Sequence, residues 1–195
     1  MADFTLTPRS IFDAVGGCRV EVEGFAFDET PTRSLVSLAR RRGEAGAALD
    51  AAVKAAFGAD LPEPGRFTEA NGVTIIFSQP GQWLIAAERE ELEAEVRSTA
   101  AGAGTVTDQS DAFTELTMEG PLAVEVLSRL SSLDYETFEV GQVARTPMQQ
   151  IAVTIARTGA ESWRLNTARS TARDFAHDVD VAAKAIGARG SLAPT

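Results

Sequence analysis

Apolar positions along this chain fall into short groups whose period changes in a regular order. Val20 and Val22 alternate with polar neighbours, so Cys18 to Phe27 predicts a short strand. Before it, Ile11 and Phe12 are apolar but Gly16-Gly17 interrupts them, and residues 1–30 read as an arm leading into this first strand. The arm either packs on its own domain or lies across a partner. From about Glu44 to Phe57 the period becomes helical: Leu49, Val53 and Phe57 recur at intervals of four, and Gly58 ends the stripe. Arg66–Ala70 and Val73–Ser78 then predict two strands around Asn71-Gly72, a strong hairpin signal because both turn positions accept positive φ. Pro80-Gly81 turns the chain into a third strand, Gln82–Ala87. A helix follows from Glu88, with Leu92 and Val96 on one face.

The second half repeats this order. Phe113–Met118 alternates as a strand. Gly120-Pro121 places proline at the first helical position, ahead of the stripe Leu122, Val126, Leu127 and Leu130. Val140–Met148, Ile151–Ala156 and Ser162–Thr167 read as strands, with Thr158-Gly159 as a turn. A last helix carries Phe175, Val179, Ala182 and Ile186, with Ser170 or Thr171 as its cap.

Val73-Thr74-Ile75 recurs as Val153-Thr154-Ile155, and the two tryptophans, Trp83 and Trp163, obey the same eighty-residue shift, as do Arg89 and Arg169. The expected architecture is therefore an α+β fold of two pseudo-repeated halves, each strand-helix-strand-strand-strand-helix, with antiparallel sheets and helices on one face. The divisions are 1–30, the arm and first strand; 31–104, the first half; 105–187, the second half; and 188–195, a flexible tail.

Composition narrows the function. The 195 residues are 44% hydrophobic and 24% charged, ordinary for a globular chain. The net charge of −10 repels phosphate backbones and anionic lipid, so neither nucleic acid nor membrane is an expected partner. Arg40-Arg41-Arg42 is the longest basic run, read as a solvated face or a salt-bridged contact. No apolar stretch reaches the roughly 20 residues of a membrane helix, and no secretory signal pattern opens the chain. Cys18 is the single cysteine and fits a buried apolar role in a reducing compartment. The expected location is the cytoplasm.

Reactive chemistry is sparse. His177 is the single histidine and falls off the apolar face of the last helix, without a partner for a nucleophilic pair. One histidine and one cysteine supply no structural zinc site. Gly43-x-x-Gly46 lacks the strand and third glycine of a dinucleotide fingerprint, and Ala101-Gly102-Ala103-Gly104 reads as a helix terminator and linker. Asp108, Asp111 and Asp134 sit where turn or cap residues are expected. No catalytic, cofactor-binding or metal-ligating residue is assigned to this chain.

Thr107-Asp108-Gln109-Ser110, Leu116-Thr117-Met118-Glu119-Gly120-Pro121, Val126-Leu127, Val140-Gly141-Gln142 and Arg145-Thr146-Pro147-Met148 form a series. It resembles the folate-binding fold of the aminomethyltransferases. At this chain length, and over about Val73–Ile186, it is similar to the gamma subunits of heterotetrameric sarcosine oxidases. That resemblance implies an assembly with alpha, beta and delta subunits that demethylates sarcosine to glycine and passes the one-carbon unit to tetrahydrofolate or releases formaldehyde. It further implies that FAD, FMN, NAD and tetrahydrofolate sit on the partners and that this chain packs against the alpha subunit. The aminomethyltransferases keep a glycine-rich turn and an acid after the strand ending at Met148, whereas this chain has Gln149-Gln150-Ile151-Ala152-Val153. A neutral amide stabilises a cationic intermediate less than a carboxylate does. Two alternatives stand beside this reading. One is an independent folate-binding one-carbon transfer protein using Asp108 or Asp111; the other is the equivalent subunit of a related N-methyl amino acid dehydrogenase. Phe12, Phe25 and Phe27 are the candidate partner-interface residues, at least some of them expected to be exposed in the isolated chain.

Overall fold

Val20–Val22 (β1) and Phe25–Glu29 (β2) open the computed structural model, which describes residues 9–30 and 33–190. They pair as a hairpin around Gly24, whose φ of 78° suits a residue without a side chain. The stretch Leu35-Val36-Ser37-Leu38, buried at all four positions, then lies in β3 (Ser34–Arg40). The expected helix from Glu44 begins as a 3₁₀ turn, Glu44–Gly46, and becomes α1 at Leu49–Phe57. Its stripe of Leu49, Val53 and Phe57 is buried as the spacing predicted, and Gly58 caps it at φ 75°. β4 (Phe67–Ala70), β5 (Val73–Gln79), β6 (Gln82–Ala87), α2 (Leu92–Ala100) and β7 (Gly104–Asp108) complete the first half. The second half runs β8 (Phe113–Glu119), α3 (Ala123–Leu130), β9 (Val143–Met148), β10 (Ile151–Arg157), β11 (Ser162–Ala168) and α4 (Ala172–Gly190).

Two antiparallel sheets result, in the orders β4-β5-β6-β3-β7 and β9-β10-β11-β8-β2-β1. Their registers superimpose at the eighty-residue shift. Ile75 faces Ile85 as Ile155 faces Leu165, and Trp83 faces Leu38 as Trp163 faces Met118. The duplication therefore extends to β3 and β8, where no sequence identity announces it. One strand breaks the pattern. Beside β3 lies β7, which follows α2 in sequence; beside β8 lies β2, which comes from the start of the chain.

Each sheet buries one face under its own helices. Leu49, Val53, Leu92 and Val96 pack on Val36, Leu38, Ile75 and Ile85 in the first half. Val126, Leu127, Phe175 and Val179 pack on Leu116, Met118, Ile155 and Leu165 in the second. The opposite faces meet each other through Ile76 and Leu84 from one sheet and Val143 and Ala156 from the other. Backbone bonds from Val143 N to Gly65 O (2.8 Å) and Phe67 N to Gly141 O (3.3 Å) join the halves at β4 and β9.

Several expectations need correction. Phe12, Phe25 and Phe27 are not exposed: they are 2%, 3% and 1% accessible. The period of β2 turns Phe25 and Phe27 to the helix side of the second sheet, and the Phe27 ring meets Phe175 edge-on at 6.2 Å. The arm from residue 9 onward thus packs on its own chain. A division after residue 104 would cut β7 from its sheet, so the first half runs on to Asp108. Pro121 precedes α3 by two residues and belongs to the turn in which Leu122 N donates to Gly24 O at 3.1 Å. The Thr171 hydroxyl donates back to Ala168 O at 3.1 Å instead of accepting a helix N–H. α4 reaches Gly190, and residues 191–195 of the expected tail lie outside the described residues, as do 1–8 of the arm.

Candidate functional site

Where the inner faces of the sheets meet, the chain buries charge beside the apolar contact of Ile76, Leu84, Val143 and Ala156. Arg33 stands immediately before β3, Thr74 on β5, Glu115 on β8 and Arg164 on β11, so both halves contribute. Arg33 Nη1 lies 3.3 Å from Glu115 Oε1, and Arg164 Nε lies 3.6 Å from the same oxygen. The Arg33 and Glu115 side chains are only 9% and 10% exposed. Arg33 Nη2 donates to Thr74 Oγ1 and to Ala86 O, each at 3.0 Å. Arg164 Nη1 donates to the same Thr74 oxygen at 3.2 Å, and the Thr74 hydroxyl donates to Glu69 Oε1 at 3.4 Å. A hydroxyl has one proton to give and two lone pairs, and all three of Thr74 are used.

A filled polar network of this kind, away from water, fixes geometry more than it adds stability, because desolvation offsets much of the Coulomb attraction. Two guanidinium groups share one carboxylate, and Arg89 stands at the rim, held by Glu95 at 3.0 Å and by Asn71 O at 2.9 Å. Thr30, Glu69 and Glu88 complete an open cleft of about 370 Å³. Behind it, against Arg33, Glu115 and Asn166, the space shrinks to about 20 Å³. That is room for a water, not for a ring system.

The residues singled out from sequence do not converge on this cleft. Cys18 is buried, and burial, then the Asp28 and Glu29 carboxylates, push its thiol up to about 12, which leaves it un-ionised and unreactive at neutral pH. His177 is exposed on α4. Asp108 accepts from the Ser110 hydroxyl (2.7 Å) and amide (3.0 Å), and these bonds hold its carboxyl below the usual range. It acts as a turn residue, with the Ser110 oxygen accepting in turn from Leu35 N at 3.0 Å. Asp134 accepts from the amides of Glu136 and Thr137 in the same manner, while Asp111 is exposed. Gln149 N donates to Leu130 O (3.1 Å) and its side-chain amide to Arg129 O (3.3 Å), so Gln149 caps α3. Among the described residues no cluster of three metal-ligating side chains occurs, and no helix is long and apolar enough to cross a membrane. Sequence reading missed Arg33, Thr74, Glu115 and Arg164, which share no motif and are brought together only by the stacking of the sheets.

No protein-family model matches the chain. The sarcosine oxidase subunit gamma of Corynebacterium sp. (strain U-96) is 32% identical over 130 residues, a stretch covering 64% of this chain and 63% of that relative's length. A chain of the heterotetrameric sarcosine oxidase from Corynebacterium sp. U-96, solved with pyrrole 2-carboxylate, superimposes with a TM-score of 0.80 at 26% identity, covering 92% of this chain and 96% of that one. The glycine cleavage system aminomethyltransferase T from Bartonella henselae shares the fold: TM-score 0.59 at 15% identity, covering 80% of this chain and 45% of that enzyme.

Proposed function

We propose that this chain, similar in sequence to a sarcosine oxidase subunit gamma and over nearly its whole length in structure to a chain of a heterotetrameric sarcosine oxidase, is the non-catalytic gamma-type subunit of such an assembly. The assembly would oxidise the secondary amine of sarcosine and leave glycine, with the one-carbon unit passing to tetrahydrofolate or leaving as formaldehyde. FAD, FMN, NAD and tetrahydrofolate then belong to the alpha, beta and delta partners, in the cytoplasm.

One observation carries the non-catalytic part: the Arg33–Glu115–Arg164 network closes the floor of the open inter-sheet cleft, leaving only about 20 Å³ against Arg33, Glu115 and Asn166. A pterin or flavin there would have to break buried ion pairs, at a cost of several kcal/mol. The buried, un-ionised Cys18 and the exposed His177 offer no substitute chemistry. Co-expression with and without the other three subunits tests the reading. Sarcosine-dependent oxygen uptake and bound flavin should appear only in the assembly, and omission of this chain should lower the yield of intact complex. Turnover of sarcosine, or flavin retained through dialysis, by this chain alone would overturn it. A chain that binds tetrahydrofolate with micromolar affinity, abolished by Asp108→Asn, would instead support an independent one-carbon transfer protein. If the complete assembly prefers another N-methyl amino acid, the chain is the equivalent subunit of a related dehydrogenase.

A further inference from the structure

A subunit needs a surface for its partner, and the described surface offers little apolar material for one. Its exposed large hydrophobics are Val15, Val140 and Val181, which lie on a 3₁₀ turn, the loop before β9 and α4. Interfaces with a dry core normally carry aromatic or aliphatic anchors. Charge is the remaining means of recognition, and it is unevenly placed.

β3 ends at Arg40, and Arg41 and Arg42 follow it directly, on a chain of net charge −10. These three line a cleft of about 500 Å³ with Gly46, Gln79 and Gln82, and no carboxylate lines it. The inter-sheet cleft differs, since Glu69 and Glu88 balance its arginines. Arg40 is fixed: its guanidinium stacks 5.2 Å from the Trp83 ring centre and bonds Asp50 at 2.7 Å. Its Nε is shut off from solvent and has no partner. Arg41 and Arg42 are exposed, and neither makes an ion pair among the described residues. Their backbone is nonetheless anchored on both sides, by Arg40 N to Gly81 O (2.8 Å) and Arg41 N to Ala103 O (2.9 Å). The turn that follows folds back so closely that a Cβ at Gly46 would lie 2.0 Å from Arg41 O. Two free guanidinium groups are thus held on a preorganised backbone, which lowers the entropy lost on binding.

We propose that the Arg40–Arg42 cleft docks a carboxylate-rich surface segment of a partner subunit. The proposal rests on the gamma-type reading above. Guanidinium forks match carboxylates two bonds at a time. The surrounding negative field would repel such a segment elsewhere, so the cleft sets register as well as affinity.

The test uses the assembled complex. Arg41→Glu with Arg42→Glu, co-expressed with the partner subunits, should weaken retention of this chain by roughly tenfold or more at 50 mM salt, with the difference shrinking at 500 mM. Arg41→Lys with Arg42→Lys should recover much of it. Arg19→Glu with Lys184→Glu, an equal change of charge at exposed positions just before β1 and on α4, should leave retention near that of the wild type. Circular dichroism should show all variants folded, since every substituted side chain is exposed. A glutamate variant that co-elutes as tightly as the wild type at low salt overturns the docking proposal and leaves the subunit reading intact. A folded wild-type chain that never co-elutes with the partners overturns the subunit reading itself. Binding of an oligonucleotide or anionic vesicles through these arginines, with partner retention unchanged, also overturns the proposal.

Discussion

Arg33 and Glu115 form an ion pair at 3.3 Å between residues eighty-two positions apart, with both side chains about nine-tenths covered. The pair ties the start of one sheet to the middle of the other. Glu115→Ala would leave Arg33 and Arg164 facing each other without their carboxylate. A loss of about 3 kcal/mol in urea unfolding is expected, toward the low end for a broken buried pair because Arg164 keeps some solvent. The paired replacement Arg33→Met with Glu115→Leu should cost less than Glu115→Ala. A Glu115→Ala protein within about 0.5 kcal/mol of the wild type would show that the pair does not clamp the sheets.

The two hairpin turns have the same backbone and different residues. Asn71-Gly72 has φ of 51° and 74°; Gln149-Gln150 has 46° and 74°. Glutamine at the second position carries the left-handed penalty that glycine avoids. Gln150→Gly should stabilise the protein by about 0.5–1 kcal/mol, or raise Tm by about 2–3 °C. Gln149 should be kept, because its amide caps α3. A lower Tm for Gln150→Gly would contradict this account.

Stability should depend on pH at both ends, with opposite signs. Burial lifts Cys18 from an ordinary 9.0 to about 12 and also raises Tyr135, against the lowering bond from Ser131. The folded chain therefore keeps protons that the unfolded chain releases, and stability should fall as pH rises from about 9 toward 12. Cys18→Ala should flatten that fall, and iodoacetamide should label Cys18 quickly only in denaturant. For Asp108 the shift is downward, first through the Ser110 hydroxyl, so its contribution is present above the ordinary 3.8 and lost as pH falls below it. Ser110→Ala should reduce the acid-side slope. An unchanged profile in both variants would place the titrating groups elsewhere.

Gly120 separates backbone strain from steric contact. Its φ is 109°, and a Cβ there would lie 2.4 Å from Gly24 O, backbone that cannot swing aside. Gly120→Ala should cost about 2–3 kcal/mol by thermal or urea unfolding. Gly102, at φ 89° with nothing within 4 Å, should lose only the conformational part, about 1 kcal/mol, on substitution by alanine. Equal losses at both sites would remove the contact argument.

The repeat was readable because tryptophan is rare and hairpin signals are local: Trp83, Trp163 and Asn71-Gly72 each speak within a few residues. β3 was not, since Ser34–Arg40 is buried on both faces and shows no alternation to separate strand from helix. β7 was hidden by Gly102 and Gly104, which suggested a linker where the chain enters a strand. Phe25 and Phe27 looked like surface anchors because their partner strand, β8, lies about ninety residues downstream. The Arg33–Glu115–Arg164 network had no local signal at all. Each member is a common charged residue, and only the packing of one sheet on the other gives them an address.

The place of β2 beside β8 bears on how the protein is made. The first half holds its whole sheet between β3 and β7, so it has every strand it needs once the ribosome has passed Asp108. The second sheet needs a hairpin synthesised before everything else, which must wait, with Phe25 and Phe27 uncovered, until β8 emerges. A fragment starting at Gln109 would present β8 as a bare edge inviting foreign strands, while one ending at Asp108 would carry an orphan hairpin. Severing the chain between its halves would thus yield two sticky pieces, and the duplicated unit has become a single heritable whole.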